Sequence, residues 1–458
     1  MAQDYLLIFL MVSFSYLLGS LIFSLIAPNQ FKKFNLFIKL AINWGLGNLV
    51  LIVTLHYLAF LNKLELITTN NFLIVFGMVV FLFLMKVFYN LKQTSKIFTP
   101  DLLWLVVLFI FLIPLLMHSL FSPFNAWGGL AIWGLKAKVL LQDPPIINNY
   151  FFTDSYYQFA HQDYPLGLPL LMNFYYRLVG TINDQAVQFY LLFFYINILF
   201  TYLGALLHWF KNRLTTVAIF LIFLIISTIP NYIIYSHNGY ADVSLASMFT
   251  ITSFLFISFF DNLKLESWLL ILLMAITSCF IKAEGYLFFV SVVTIFTLFL
   301  LLQKKKLITN GYSKFLAIVL LIISSASILI WEYYKLTLNI KGEFGQIILG
   351  NVFSEMKIIF HTYLNELINT NRYSLTLIPA ILIYLYQISH FAFNRQWFKL
   401  IPNLLIVFQL GAYTLIYLIT PNPLLWQLTS FERIFLHILP IIFLIIIYNS
   451  HILWLNKK

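Results

Sequence analysis

The chain has 458 residues, of which 62% are hydrophobic and only 9% are charged. Soluble domains carry about 25% charged residues, so this composition excludes a soluble globular protein and indicates a membrane protein. The net charge of +11 fits basic residues on the cytoplasmic side of a membrane, and we expect no nucleic-acid partner. The single cysteine, Cys279, excludes a disulfide framework and a cysteine-based metal site.

Apolar runs of about 20 residues, the length that spans a bilayer as a helix, recur along the whole chain. The first run lacks a basic start and a clear cleavage site, so we expect a spanning helix there rather than a signal peptide. The pattern predicts an all-α, polytopic bundle of about thirteen transmembrane helices. The predicted spans lie near residues 5–27, 40–60, 71–90, 102–121, 187–208, 214–230, 242–260, 286–303, 314–333, 374–390, 400–419 and 433–452, with a shorter one at 267–281.

Lysines and arginines are unevenly distributed between alternate connections. Seventeen of the 27 fall in one set, which the positive-inside rule assigns to the cytoplasm of a multi-pass plasma-membrane protein with its N-terminus outside. Only one helix can then cross between residues 122–164 and the basic turn at 209–214. As a helix, residues 165–179 would span only about 22 Å, less than the hydrocarbon core, so we expect a short re-entrant or interfacial helix there. Five segments then share the outer, extracytoplasmic face: 122–186, 231–242, 282–285, 333–373 and 421–433.

The segment 122–169 is the main polar interruption of the chain. It contains Asp154 and Asp163, and a carboxylate at the membrane surface can act as a general base or as a metal ligand. Asp163 can equally cap the helix that begins near Pro165. The sequence alone leaves both interpretations open.

Two lysines lie within the stretch Asn125–Lys138, whose tryptophans are typical of an interfacial amphipathic helix. Lys136 and Lys138 fall on the outer side, against the positive-inside trend. Binding of a lipid phosphate is a physical reason for their position there.

Three later positions place charge at the ends of apolar runs. Asp242 either caps a helix or belongs to a site. Lys282 and Glu284 lie where charge is costly, which indicates function, although a mutual ion pair at a tight turn is the alternative. Arg433 suits bidentate phosphate binding, and its alternative partners are Glu432 or lipid headgroups.

Taken in order, these stretches resemble those of the bacterial GT-C glycosyltransferases, which are polytopic enzymes that use polyprenyl-phosphate sugars. The resemblance divides the chain into N-terminal transmembrane helices, residues 1–100, and a glycosyltransferase-like core, residues 101–458, with an active-site loop at 122–169. The stretches that carry it are Trp133–Lys138, His161–Pro169, Gly239–Asp242, Lys282–Gly285 and Thr429–Pro440.

The resemblance implies an inverting hexosyl transfer from a polyprenyl-phosphate donor to a glycan, lipid or protein acceptor on the outer face. The catalytic candidates are Asp163, Asp154, Asp242 and Glu284. The candidates for substrate binding are Lys136, Lys138, His161, Tyr164, Lys282 and Arg433. The four basic residues Lys136, Lys138, Lys282 and Arg433 make a metal-free site possible, so the sequence leaves a divalent metal ion open.

This sequence departs from the family pattern at the start of the first outer loop. Relatives carry an acid there, whereas Asn125 to Gly129 contain none. An amide cannot act as a general base, so either Asp154 or Asp163 would have to do so. We favour Asp163 because the neighbouring prolines fix it at the mouth of the following helix.

Two other classes of function stay open. A transporter or flippase for a lipid-linked glycan would carry charges deep in several helices and inverted repeats, and the sequence shows no repeat. A non-catalytic partner in cell-envelope assembly would explain the missing early acid. Convergence of the outer segments around one cavity would favour the enzyme.

Overall fold

The computed structural model describes residues 2–91, 101–143, 146–210, 216–260, 263–303, 313–340, 352–373, 376–419 and 423–455. Within these ranges the chain is helical and contains no β-strand, so the predicted all-α class is confirmed. Most of the basic turn at 209–214 and parts of the segments 333–373 and 421–433 lie outside the described residues. The α-helices are α1 Ala2–Ile26, α2 Pro28–Lys33, α3 Leu36–Phe60, α4 Thr69–Leu91, α5 Asp101–Phe121, α6 Gly134–Gln142, α7 Tyr150–Thr153, α8 Gly167–Val179, α9 Asp184–Phe210, α10 Thr216–Ser227, α11 Pro230–Tyr235, α12 Asp242–Phe259, α13 Leu265–Ile281, α14 Glu284–Gln303, α15 Ser313–Thr337, α16 Val352–Leu367, α17 Thr370–Tyr373, α18 Leu377–Phe393, α19 Leu404–Ile419 and α20 Pro423–Leu455.

Every apolar run of the sequence forms a helix. Within the described ranges, ten helices are long and apolar enough to cross a membrane, and three shorter apolar helices correspond to the runs at 214–230, 267–281 and 374–390. Almost every residue of α9 and α12 is buried inside the bundle, whereas α4 and α15 are largely exposed at its periphery. The chain is therefore a polytopic helix bundle built around a few central helices.

The start of α1 lies at the same end of the bundle as the segment 122–169, and we call this end the loop end. The Tyr5 hydroxyl donates to the Leu120 carbonyl at the end of α5, at 2.6 Å. Asp4 accepts a hydrogen bond of 2.9 Å from Asn183, which directly precedes α9. The first residues of α1 and α9 and the last residues of α5 are thus neighbours.

The other end of the bundle joins a different set of helix termini. Asn29 and Gln30, just after α1, donate to Glu266 and Ser267 at the start of α13, at 3.2 and 2.7 Å. Because α13 starts at this other end, its last residue lies at the loop end. The connection from α13 to α14, which contains Lys282 and leads to Glu284, therefore lies at the loop end too. This arrangement brings the polar segments of the sequence together at one end.

Helix α8 begins and ends at the loop end. Gly167 at its start contacts the backbone of Phe280, the penultimate residue of α13. Near its other end, the Leu178 carbonyl accepts a hydrogen bond of 2.5 Å from Thr69, the first residue of α4. A 13-residue helix is too short to cross a bilayer, so the predicted short helix is confirmed, beginning at Gly167 rather than Pro165.

Candidate functional site

A cavity of about 280 Å³ lies at the loop end, where three of the five predicted outer segments meet. Segment 122–186 contributes Trp133, His161 and Tyr164 to its wall. The turn between α13 and α14 contributes Lys282 and Glu284. Ser430 and Arg433 come from the start of α20, and Tyr413 and Tyr417 come from α19. Residues that are far apart in the sequence are therefore gathered at one concave surface.

A fully buried carboxylate, Asp242, holds the two cations of this cavity. Its Oδ1 atom lies 2.9 Å from the Lys282 ammonium nitrogen, and its Oδ2 atom lies 3.7 Å from a guanidinium nitrogen of Arg433. Asp242 is the first residue of α12, but its side chain does not cap that helix. Of the two interpretations of Asp242, the structure therefore excludes the helix cap.

The Lys282 ammonium also contacts Glu284 at 2.7 Å, so the mutual ion pair considered from the sequence is present. It is one half of a larger arrangement, because the same ammonium bonds Asp242. Burial alone would lower the pKa of Lys282, but Asp242 and Glu284 together raise it above its ordinary value. Lys282 is accordingly a permanent cation at the cavity wall.

Arg433 pairs with Asp242 and Tyr240 and not with Glu432, the neighbouring partner considered from the sequence. Its guanidinium lies over the ring of Tyr240, 4.9 Å from the ring centroid, and close to Asp242. The adjacent Glu432 instead bonds Arg372 at 2.8 Å and accepts a hydrogen bond from Tyr235. Neighbouring residues of α20 thus enter two separate polar clusters, and only Arg433 enters the cavity cluster.

His161 lines the cavity in a left-handed backbone conformation, with a φ of 50°. Its ring stacks on Tyr164 with centroids 4.6 Å apart. Burial lowers the pKa of His161 to about 3, helped by the positive charges of Lys136, Lys282 and Arg433. The imidazole is therefore neutral at physiological pH.

Lys136 is fully buried beside the cavity and supports this turn. Its ammonium donates to the His161 carbonyl at 2.5 Å. It also lies 5.3 Å from the ring centroids of both Trp133 and Tyr164, where cation–π attraction holds it. We infer that Lys136 fixes the turn that presents His161.

Asp163, the favoured base from the sequence, does not line the cavity within the described residues. It does not cap α8 either, since that helix begins without a side-chain cap. Burial raises the pKa of Asp163, although the nearby Lys136 partly offsets this effect. Its other charged neighbours, Lys335 and Glu332, lie on α15 rather than in the cavity cluster.

Two further candidates also lie away from the cavity wall. Lys138 forms an ion pair of 2.6 Å with Asp184 at the start of α9. Asp154 caps the short helix at Ser155–Ala160 by accepting from the Tyr156 backbone N–H at 2.9 Å. That hydrogen bond, with a second from the Tyr150 hydroxyl, lowers the pKa of Asp154. Neither Lys138 nor Asp154 therefore lies among the candidate residues that line the cavity.

The acid-free stretch at the start of the loop forms a close backbone contact. Gly128 and Gly129 begin a π-helical turn, Gly128–Trp133. A Cβ atom on Gly129 would lie 2.4 Å from the Asn238 carbonyl oxygen, and Gly239 packs directly against it with a φ of 81°. Glycine is needed at this crossing because the two backbones touch, and the contact positions the turn before Asp242.

His437 is a member of the site that the sequence analysis did not identify. It is fully buried, and its Nε2 atom lies 3.1 Å from Oδ1 of Asp242. Its Nδ1 atom lies 3.0 Å from the hydroxyl of Tyr413. The signal was available, because His437 follows Arg433 by four positions, and residues spaced by four share one face of a helix.

No group of three or more His, Cys, Asp or Glu side chains within the described ranges has the arrangement of a metal site. The carboxylates that lie close to the cavity, Asp242 and Glu284, both accept from Lys282. The chemistry that these residues can supply is therefore binding of an anion by preorganised cations, next to hydrogen-bonding tyrosines.

Comparisons with family models, with curated proteins and with solved structures give no match to this chain.

Proposed function

We propose that the chain is an integral membrane glycosyltransferase that moves a sugar from a polyprenyl-phosphate donor to a glycan, lipid or protein acceptor. In this proposal the cavity opens at the extracytoplasmic face of the plasma membrane. The observation that supports it is a pair of cations, the buried Lys282 and the partly buried Arg433, in the wall of a cavity at one end of a transmembrane bundle. A lipid-linked phosphate lies where the hydrocarbon core meets water, and in this proposal the two cations lie at the same depth.

The proposed role of the two cations is to bind the donor phosphate and to stabilise it as it departs. Lys282 is a compact charge with three donors, and the guanidinium of Arg433 presents a planar fork that matches phosphate oxygens. Asp242 already orients both groups, so little reorganisation is needed when negative charge develops on the leaving phosphate.

The dimensions and the aromatic walls of the cavity fit one headgroup. A volume of about 280 Å³ is near the lower limit for small-molecule pockets, which starts at roughly 300 Å³. It therefore suits a single sugar with its phosphate, while the polyprenyl chain stays among the membrane helices. Tyr164, which lines the cavity and is only partly buried, offers an aromatic surface on which a sugar ring can pack.

The proposal is tested by supplying polyprenyl-phosphate sugars, together with glycan, lipid and protein acceptors, to the purified protein in lipid nanodiscs and measuring release of polyprenyl phosphate. We expect Arg433→Lys, which keeps the charge and loses the fork, to lower kcat/KM by at least tenfold. Lys138→Gln is the matched control, because Lys138 lies outside the cavity, and we expect it to change kcat/KM by less than threefold.

Three outcomes separate this proposal from its rivals. Turnover that depends on Arg433 supports the transferase. Binding of the donor without turnover for any sugar supports a flippase or a non-catalytic assembly protein instead. Absence of both binding and turnover, together with unchanged surface glycans after gene deletion, contradicts every glycan-related assignment.

A further inference from the structure

Three residues form a hydrogen-bonded chain from the cavity wall to the buried carboxylate. Tyr413 of α19 lines the cavity, and its hydroxyl lies 3.0 Å from Nδ1 of His437. Nε2 of the same imidazole lies 3.1 Å from Oδ1 of Asp242. The imidazole is completely buried, so its two nitrogens face a hydroxyl on one side and a carboxylate on the other.

The direction of these hydrogen bonds follows from the carboxylate. An ionised carboxylate accepts only, so Nε2 of His437 must carry a hydrogen and donate it to Asp242. In the neutral imidazole, Nδ1 is then an acceptor, and the Tyr413 hydroxyl donates to it. The Tyr413 oxygen, which also forms a hydrogen bond with the Gln409 side chain, can then still accept a hydrogen bond from a group in the cavity.

We propose that Tyr413, relayed through His437 to Asp242, is the catalytic group that deprotonates the acceptor hydroxyl. This inference rests on the proposed function. The acceptor proton passes to the Tyr413 oxygen as the Tyr413 proton passes to Nδ1 of His437. The acceptor oxygen forms the new bond to the anomeric carbon of the sugar, and the bond from that carbon to the phosphate oxygen breaks. Its electron pair leaves with the polyprenyl phosphate.

The charges around the relay fit this step. Asp242 stabilises protonated His437, as the carboxylate does the imidazolium in hydroxyl–imidazole–carboxylate triads, whereas burial and the positive charge of Lys282 oppose protonation. The departing phosphate gains negative charge at the same moment, which offsets the additional positive charge close to Lys282 and Arg433. The relay thus places proton uptake and phosphate departure in one compact cluster.

The rival base is Glu284, the carboxylate that lines the cavity among the described residues. Glu284 already forms an ion pair of 2.7 Å with the Lys282 ammonium. A proton taken up by Glu284 would therefore break this ion pair and release Lys282, the proposed phosphate-binding cation, from its position. A second rival is a structural role, in which the bond between Tyr413 and His437 only clamps α19 to α20. The relay accounts for a buried histidine with both nitrogens engaged, and both rivals are separable by experiment.

The test uses the purified protein in nanodiscs with a polyprenyl-phosphate sugar and its acceptor. Tyr413→Phe removes the hydroxyl, and we expect kcat to fall at least 100-fold, as for the loss of a general base, with the KM for the donor unchanged within threefold. His437→Gln keeps one donor and one acceptor but cannot take up a proton, and we expect a similar loss of kcat. The matched control is Tyr232→Phe, because the buried Tyr232 hydroxyl also bonds α20, at the Leu436 carbonyl, 2.8 Å away and outside the relay.

Each result has a defined meaning. Loss of kcat in both relay variants with normal turnover in Tyr232→Phe supports the relay. Full turnover in His437→Gln overturns it, and an inactive Glu284→Gln beside an active Tyr413→Phe assigns the base to Glu284. Equal losses in Tyr232→Phe and Tyr413→Phe overturn it in favour of a helix clamp. A wild-type protein that binds the donor without turnover contradicts the proposed function, and the relay with it.

Discussion

The ammonium nitrogen of Lys282 lies 2.9 Å from the carboxylate of Asp242, and both side chains are almost completely buried. Asp242 is the first residue of α12, and Lys282, forty positions later, directly follows the last residue of α13. Burial of such a pair is stabilising only while both charges are present, because each alone would keep the full cost of leaving water.

We predict that Asp242→Asn destabilises the protein by about 3–5 kcal/mol, the usual cost of leaving a buried charge without its partner. Thermal unfolding in detergent measures this change. The double variant Asp242→Asn with Lys282→Met should recover part of the loss, because it removes a buried cation that has lost one of its two carboxylate partners.

The control for this prediction is Asp154→Asn. Asp154 caps a short surface helix, and an asparagine oxygen can accept the same hydrogen bond from Tyr156. We expect no measurable change in the unfolding temperature. If Asp242→Asn were equally silent, the cation cluster would not be a structural unit of the protein.

A second prediction concerns acid stability. Burial lowers the pKa of His161 to about 3 in the folded protein, whereas the unfolded chain has an ordinary histidine pKa near 6.5. The unfolded state therefore binds a proton first as the pH falls, so stability is full above about 6.5 and is lost progressively toward about 3. The slope that one such group can contribute is at most about 1.4 kcal/mol per pH unit.

Unfolding measured between pH 7 and 5 should therefore have a shallower pH dependence in His161→Gln than in the wild type. The exposed His361 provides the comparison, and His361→Gln should keep the wild-type slope. Identical slopes for all three proteins would show that His161 is not buried as a neutral group.

The lengths of the apolar runs were sufficient to predict the ten helices of the described ranges that are long and apolar enough to cross a membrane. The reason is that a helix in lipid must satisfy its own backbone and span a fixed thickness. The same reasoning identified the short α8. The positions of side chains around the cavity were harder to predict, because they depend on how helices pack against one another. Asp163 and Asp242 have similar sequence contexts, yet only Asp242 joins the cations.

Two features of the site were nevertheless readable from helix geometry. Lys136 and Lys138 are two positions apart on α6, which separates them by about 200° around the helix axis. They cannot both face one phosphate, and the structure directs Lys138 to Asp184 instead. His437 lies one turn beyond Arg433, so the same periodicity indicates that both face Asp242.

A third prediction tests the close contact between Gly129 and the Asn238 carbonyl. A methyl group at Gly129 would lie 2.4 Å from that oxygen, and overpacking of this kind costs about 1–3 kcal/mol. We expect Gly129→Ala to lower the unfolding temperature. Gly77→Ala is the matched control, since nothing lies within 4 Å of that position on α4 and alanine is the better helix former. A drop in both variants would point to a general sensitivity of the helices rather than to this contact.

The fourth prediction concerns the side of the membrane that each end of the bundle faces. The sole native cysteine, Cys279, is buried, so single cysteines introduced at exposed positions can be labelled selectively in intact cells. Tyr156 and Ile182 flank α8 and are 74% and 45% exposed, and Trp454 near the end of α20 is 39% exposed.

Because both ends of α8 lie at the loop end, Tyr156→Cys and Ile182→Cys should react with an impermeant maleimide added from outside. Trp454→Cys should react only after the membrane is permeabilised. Opposite reactivity at 156 and 182 would mean that α8 crosses the membrane. Reaction of Trp454→Cys alone from outside would mean that the bundle has the opposite orientation, with the cavity on the cytoplasmic side.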